Sequence, residues 1–225
     1  LSGNQVTISG LVGTQTLNFS AAAANDANVA TANKYFSAIT LADGTNGGFA
    51  VNYALPSLTT ASVNNTVTIN PLTLTLNSST TTASYNGTDA LANMIITTSL
   101  GETVTLINVS ANSANVGSGN YIDNATITSG TGAASNYALP TLNATTAPVS
   151  IAPKALSIAA VKTYDASTGL SGNQVTITGL VGSQTLIFTG AAANDANVAT
   201  ANKYISAITL ADGINGGLAT NYALP

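Results

Sequence analysis

Few side chains in this sequence could act as an acid, a base or a metal ligand, and most of those are carboxylates. Its 225 residues include eight Asp and Glu and four Lys and Arg, with no His and no Cys. Catalytic triads and dyads built on imidazole or thiol are therefore impossible, as are metal sites made of His and Cys. Paired carboxylates alone hydrolyse glycosides, yet no motif here brings two acids together in a unique place. The sequence predicts a protein that is not an enzyme.

Asp26 and Asp195 are the weak candidates for a metal site. Each lies in an Asn-Asp-Ala-Asn-Val loop, and Ca²⁺ takes several oxygen ligands from carboxylates and carbonyls. One carboxylate per loop is few for such a site, and Ser113 replaces it in the related loop at 112–116. An aspartate in such a loop also accepts a backbone hydrogen bond two residues on, forming an Asx turn. We favour the turn, and we expect no metal and no cofactor.

Lys34 and Lys203 occupy equivalent places and are candidates for an isopeptide staple to an Asn or Asp side chain. That bond needs the lysine, its acceptor and a carboxylic acid of raised pKa together in an apolar core. Asn120 stands at the lysine position of the intervening segment, so the staple cannot be a general device. We expect solvated surface lysines instead.

The composition excludes two further classes of partner. Only 5% of the residues are charged and the net charge is −4, whereas about 25% charged residues is usual in a globular domain. Four basic residues in an acidic chain cannot neutralise a run of phosphates, so we expect no nucleic-acid partner. Thr, Asn, Ser and Gly interrupt the apolar stretches before they reach the roughly 20 residues of a membrane helix. We expect no membrane insertion.

Internal repetition is the strongest pattern in the sequence. Residues 1–56 recur at 170–225 with nine substitutions, and a divergent copy lies between them. The string Asn-Tyr-Ala-Leu-Pro ends all three copies, at Pro56, Pro140 and Pro225. The eight tyrosines fall on three repeat positions, which are Tyr53, Tyr137 and Tyr222; Tyr35, Tyr121 and Tyr204; and Tyr85 and Tyr164. Such a period indicates a tandem array.

Pro71 and Pro153 occupy equivalent joins between the copies, in TINPLTL and SIAPKAL. They divide the chain into repeat 1 (1–71), repeat 2 (72–153) and repeat 3 (154–225). By this register repeat 1 is without its first strand and repeat 3 without its last. Because proline fixes φ, the joins leave no flexible linker.

Apolar residues alternate with polar ones in each repeat, as at Val6 and Ile8 or at Leu74 and Leu76. This period of two is typical of strands with one buried face. Asp-Gly and Asn-Gly pairs mark turns between them, and the Ala-rich segment at 21–33 is expected to be a loop. The layout predicts an all-β fold of antiparallel immunoglobulin-like sandwiches. A parallel β-helix is the alternative, although its rungs are much shorter than these repeats.

Three short strings and one join carry a resemblance to a known family. KTYDAST at 162–168, NDANVATANKY at 194–204, TNYALP and the join IAPKALSI resemble the YDG and MBG bacterial immunoglobulin-like repeats. These repeats occur in large secreted adhesins, including filamentous-haemagglutinin-like proteins of two-partner secretion systems. The resemblance implies a structural stalk in a secreted or cell-surface fibre of a Gram-negative bacterium, without catalytic residues.

Two other functions stay open at this stage. Charged residues normally protect edge strands from pairing, and their scarcity here allows self-association into an extracellular filament or biofilm matrix. The tyrosines could instead form a platform for a host-surface or matrix polysaccharide, as in a carbohydrate- or receptor-binding module. A tyrosine near a strand end more often packs its ring and bonds its hydroxyl to the backbone. The expected partners are neighbouring repeats, and further copies of the chain in a filament.

Overall fold

A computed structural model of the chain describes residues 1–76, 82–117 and 119–225. Strands dominate these residues, and their helical segments are short 3-10 turns, so the prediction of an all-β class is confirmed. The strands are β1 (Leu17–Ala24), β2 (Phe36–Asp43), β3 (Leu72–Thr73), β4 (Thr82–Ser84), β5 (Met94–Thr97), β6 (Thr103–Ala111), β7 (Ile122–Ser129), β8 (Tyr137–Ala138), β9 (Ser150–Ala152), β10 (Lys154–Ala155), β11 (Ser157–Ala160), β12 (Val175–Thr178), β13 (Leu186–Ala193), β14 (Ile205–Asp212) and β15 (Tyr222–Ala223).

Long antiparallel hairpins recur at equivalent sequence positions. β1 pairs with β2 and β13 with β14 in the same register, Leu17 lying opposite Asp43 and Leu186 opposite Asp212. β6 pairs with β7 in the same way and also with β5. The expectation of a loop from residue 21 was wrong at its start, because β1 continues to Ala24 and its last residues pair with β2.

Short strand pairs connect residues that are distant in the sequence. β3 with β8, β4 with β9 and β10 with β15 are parallel, and β11 with β12 is antiparallel. Pro71 immediately precedes β3, and Pro153 separates β9 from β10. A proline donates no backbone hydrogen bond, so both lie where the ladder changes partner.

The chain divides into two compact units. The first comprises Leu1–Thr73 and Thr131–Ala138, and the second comprises Leu74–Gly130 and Leu139–Pro225. In the second unit, the side chains of Val104, Leu106 and Ile122 are fully buried. Their burial contributes stability at about 25 cal/mol per Å² of apolar area.

A second set of buried side chains in that unit joins residues of repeats 2 and 3. Tyr85, Val149 and Ile151 pack in one cluster with Leu156 and Tyr222. The last strand of repeat 2 and the first segment of repeat 3 therefore share a core.

Candidate functional site: an asparagine clamp between repeats

The first tyrosine position binds backbone, as expected for a strand-end tyrosine. The Tyr53 hydroxyl accepts from the Val12 N–H and donates to Gln15. The Tyr222 hydroxyl does the same with the Val181 N–H and Gln184. These bonds hold the Asn-Tyr-Ala-Leu-Pro segment against the loop before the hairpin.

A 3-10 turn places an asparagine immediately before each of these tyrosines. The turns are Ala50–Asn52, Ala134–Asn136 and Ala219–Asn221. Asp43 and Asp212 each accept from the first N–H of the turn that follows, at 2.7 Å. A carboxylate that caps this N–H satisfies a donor that the turn leaves without a partner.

The asparagine of each later repeat binds the loop of the repeat before it. In the first compact unit, Asn136 Oδ1 accepts from the Val29 N–H at 2.8 Å and Asn136 Nδ2 donates to Asn28 Oδ1 at 2.9 Å. In the second unit, the same two bonds join Asn221 to Val116 and Asn115, each at 2.8 Å. We call this pair of bonds the asparagine clamp.

Side chains within the loop hold its geometry. Asp26 Oδ1 accepts from the Thr31 hydroxyl at 2.7 Å and from the Asn28 N–H at 2.6 Å, and these bonds lower the pKa of Asp26. The second bond has the form of an Asx turn. Lys34 Nζ donates to the carbonyls of Val29 and Thr31. The carbonyl of the clamped valine is thus held while its N–H is left to face Asn136.

Repeat 2 builds the same loop with neutral side chains. Ser113 Oγ accepts from the Asn115 N–H at 3.1 Å, replacing the aspartate. Asn120, at the position of the lysine, donates from Nδ2 to a different loop carbonyl, that of Asn115, at 2.8 Å. The loop needs an acceptor and a donor at these two positions, and charge is not required.

An aromatic contact lies beside the second clamp. The rings of Tyr85 and Tyr222 meet edge to face with centroids 5.4 Å apart. Gln184 links them, because its Oε1 accepts from both hydroxyls and its Nε2 also donates to Tyr85 at 2.8 Å. Tyr85 is only 3% exposed.

Gly87 allows the backbone to approach closely at the same place. It has φ of 83°, and a Cβ there would lie 2.6 Å from Val181 Cγ1. A side chain would therefore strain the backbone and force the Val181 side chain to shift.

The remaining tyrosines differ in exposure. Tyr137 is buried in the first unit, where β8 pairs with β3. Tyr121 forms an isolated bridge with Pro148. Tyr35 is half-buried, whereas Tyr204 is 63% and Tyr164 56% exposed.

The two lysines of equivalent position also differ. Lys34 is buried, contrary to the expectation of a solvated lysine, whereas Lys203 is exposed. Residues around Lys34 are covered by the segment after Pro56, since the Val67 N–H donates to the Lys34 carbonyl. In the described part of repeat 3, no segment covers Lys203 in this way.

Asp195 accepts from the Asn197 N–H at 2.6 Å and from Thr200 at 2.8 Å, which lowers the pKa of Asp195. Asp165 forms an ion pair with Lys162 at 2.7 Å. This lysine and the N–H of Ser167 lower the pKa of Asp165 to about 2. Within the described residues, no group of three or more Asp and Glu could hold a metal ion.

Sequence analysis missed the asparagines and Gln184 as contact residues. The signal that could have found the asparagines is their presence in all three Asn-Tyr-Ala-Leu-Pro strings. Their partners could not be read from the sequence, because each clamp joins residues more than a hundred positions apart.

Comparison with families of known proteins, with curated proteins and with solved structures found no match. None of the helical segments in the described ranges is long and apolar enough to cross a membrane.

Proposed function

We propose that this chain is a non-catalytic structural segment of a secreted or cell-surface bacterial adhesin. Its repeats are immunoglobulin-like sandwiches, and each is fastened to the next. The observation that carries the proposal is the asparagine clamp, which joins repeat 1 to repeat 2 and repeat 2 to repeat 3 through the same atoms.

A segment that carries load between two ends needs repeats that do not move freely against each other. The second clamp is the more buried of the two, because Asn221 has no exposed surface whereas the bond from Asn136 to Asn28 in the first clamp is exposed. Hydrogen bonds are directional, and leaving a buried one unmade is costly. The shared cluster around Tyr85 and Tyr222 adds apolar burial across the same contact. Both features support mechanical coupling of the repeats.

The chemistry of the contact also suits an extracellular fibre. Its groups are amides, hydroxyls and aromatic rings, which keep their hydrogen bonding across a wide range of pH and salt. Repetition of one contact serves length better than a single active centre would.

The coupling is tested by replacing Asn221 with Ala in the full chain. This leaves the part-buried Val116 N–H without its acceptor and removes the bond to Asn115, so we expect a loss of about 1–3 kcal/mol in the free energy of unfolding. Asn52→Ala is the matched control, because Asn52 lies in the equivalent turn but is exposed, and it should change stability by less than about 0.5 kcal/mol. Equal effects of the two variants in urea denaturation would contradict the proposal.

The location is tested with an antibody raised against the chain. We expect it to label intact cells of the bacterium that produces the protein, or to detect the protein in the medium. Labelling that requires permeabilised cells would contradict a surface role.

A further inference from the structure

Asparagine is followed directly by glycine at Asn46, Asn86 and Asn215. Such a pair is among the least durable units of a protein chain, because the glycine nitrogen attacks the asparagine side chain without hindrance from a side chain of its own. At the first and third pairs the side-chain nitrogen is held in place. Asn46 Nδ2 donates to the Thr14 carbonyl at 2.9 Å, and Asn215 Nδ2 donates to the Ser183 carbonyl at 3.0 Å. The nitrogen that would leave as ammonia is therefore bound at both places.

Asn86 is held through its side-chain oxygen instead. Its Oδ1 accepts from the Thr88 N–H at 2.9 Å and from the Thr88 hydroxyl at 3.0 Å. The bond from the N–H closes an Asx turn, whose ring includes the nitrogen of Gly87. Attack on Cγ places negative charge on Oδ1, and donors already directed at this oxygen stabilise that charge. The turn thus prepares Asn86 for attack by its own backbone.

The backbone of Gly87 is open to the reaction. Asn86 and Gly87 are both exposed, and the Gly87 N–H has no acceptor among the described residues. Water and hydroxide can therefore reach its proton. Repeat 3 has Asp165 and Ala166 at the equivalent positions, so its turn has no side-chain amide to lose.

We propose that the pair of Asn86 and Gly87 is a site of spontaneous deamidation, and that it reacts faster than the other two Asn-Gly pairs of the folded chain. Hydroxide takes the proton of the Gly87 nitrogen, and the lone pair left there forms a bond to Asn86 Cγ. The Cγ–Nδ2 bond breaks, and Nδ2 takes a proton from water and leaves as ammonia. The product is a succinimide ring. The proposal goes beyond the proposed function and does not depend on it.

Water opens the succinimide in one of two ways. Breaking the new bond from Cγ to the Gly87 nitrogen leaves an aspartate in an ordinary main chain. Breaking the original peptide bond leaves an isoaspartate, in which the main chain runs through the side chain of residue 86.

The two products differ in their effect on the contact between repeats 2 and 3. Aspartate keeps the turn, because Asp165 accepts from the N–H and the hydroxyl of Ser167, each at 3.0 Å. Isoaspartate adds a methylene to the main chain between Tyr85 and Gly87. Tyr85 is 3% exposed, and a Cβ on Gly87 would lie only 2.6 Å from Val181 Cγ1. The lengthened chain cannot keep both positions, so isoaspartate loosens this contact.

Peptide mapping by mass spectrometry of the full chain, aged at neutral pH, measures the rate at each pair. We expect Asn86 to deamidate about ten times faster than Asn46 or Asn215 in the folded chain, because its oxygen has two donors directed at it. In urea, where the turn is lost, we expect the three rates to converge. Equal rates in the folded chain, or the same difference in urea, would overturn the proposal.

A pair of variants isolates the contribution of the donors. Thr88→Val removes the hydroxyl that donates to Asn86 Oδ1 and should slow deamidation there severalfold. Thr82→Val, at an exposed position of β4, is the matched control and should leave the rate unchanged. An equal rate in the two variants would overturn the role of the turn.

Hydrogen exchange of the aged chain tests the consequence for the contact. Chromatography separates the isoaspartyl form, and Asn86→Asp supplies the matched aspartyl form. We expect the amides of Gln184 and of β9 to lose protection in the isoaspartyl form and to keep it in Asn86→Asp. Equal protection in the two forms would overturn this consequence. None of these results affects the Asn221→Ala unfolding test, so this proposal and the proposed function can fail separately.

Discussion

At the scale of single residues, neutral amide and hydroxyl groups make hydrogen bonds that charged side chains make in other proteins. Lys34 and Asn120 donate to loop carbonyls from the same position, and Asp26 and Ser113 accept from the same loop N–H. This interchange explains how the chain folds with only 5% charged residues. It also implies that most of its stability is insensitive to pH.

The pKa is lowered at three aspartates, Asp26, Asp165 and Asp195, and Asp165, which also forms an ion pair with Lys162, is the one to titrate first. Its bonds from Lys162 and Ser167 lower its pKa to about 2, whereas an unfolded aspartate titrates near about 3.9. A lowered pKa means that the carboxylate stabilises the folded state above about pH 4 and that this contribution is lost as pH falls towards 2. In a carbon NMR titration, Asp165 should have a midpoint near 2.

The control for this titration is Asp165→Asn, which removes the titrating group and its ion pair. Its stability should fall less between pH 5 and 2 than that of the wild type. A midpoint for Asp165 close to that of an unfolded aspartate would show that the ion pair with Lys162 does not persist in solution.

Gly87 should tolerate no side chain. Gly87→Ala places a methyl group in the left-handed region at φ of 83° and against Val181, so backbone strain of about 1–2 kcal/mol and overpacking of about 1–3 kcal/mol add to an expected loss of about 2–5 kcal/mol in the free energy of unfolding. Gly101, with φ of 80° and nothing near its Cβ position, is the matched control. Gly101→Ala should lose only the strain of about 1–2 kcal/mol, so similar losses would argue against a tight contact at Gly87.

At the scale of elements, the long hairpins carry a bulge near their middle. The register shifts between Ser20 and Ala23 in β1 and between Thr189 and Ala192 in β13. The bulge residue is Ala21 at φ of 51° in the first hairpin and Gly190 at φ of 61° in the second. Glycine adopts this conformation without the steric cost that alanine bears.

The two hairpins thus form a reciprocal test. We expect Ala21→Gly to stabilise the chain and Gly190→Ala to destabilise it, each by about 1 kcal/mol in thermal unfolding. Changes of the same sign in both variants would contradict the assignment of the bulge as a strained position.

The strands of the long hairpins were predictable from the sequence because the alternation of apolar and polar residues is local, although the Asp-Gly pairs at 43–44 and 212–213 lie after β2 and β14 and not between the paired strands. The short parallel pairs were not, since β4 and β9 have three residues each and lie far apart in the chain. Val6, Thr7 and Ile8 make the same point. They are identical to Val175, Thr176 and Ile177 of β12, yet only β12 is a strand, because β11 pairs with it.

The candidate site was predictable only in part for the same reason. The hydroxyl bonds of Tyr53 and Tyr222 to backbone agree with the expectation for strand-end tyrosines, whereas the exposed rings of Tyr164 and Tyr204 do not agree with it. The burial of Lys34 and exposure of Lys203 arise in identical local sequences. Their difference depends on which distant segment covers them, and no local pattern contains that information.

At the scale of the whole molecule, the compact units do not coincide with the sequence repeats. Residues 131–138 of repeat 2 belong to the first unit, and most of repeat 2 shares the second unit with repeat 3. Tyr85 of repeat 2 and Tyr222 of repeat 3 lie in one buried cluster. Cooperative unfolding should therefore extend across the join at Pro153.

Hydrogen exchange of a Tyr85→Leu variant tests whether cooperative unfolding extends across the join at Pro153. The substitution keeps apolar volume but removes the hydroxyl bonds to Gln184 and the ring contact with Tyr222, at a cost of about 2 kcal/mol. We expect amides of both repeats to lose protection, including those of β9 in repeat 2 and of Gln184 in repeat 3.

Tyr164→Leu, at the exposed equivalent position, should leave protection unchanged in a dilute monomer. Loss confined to residues 72–153 would mean that the repeats unfold independently, and the coupling that a load-bearing segment requires would then be absent.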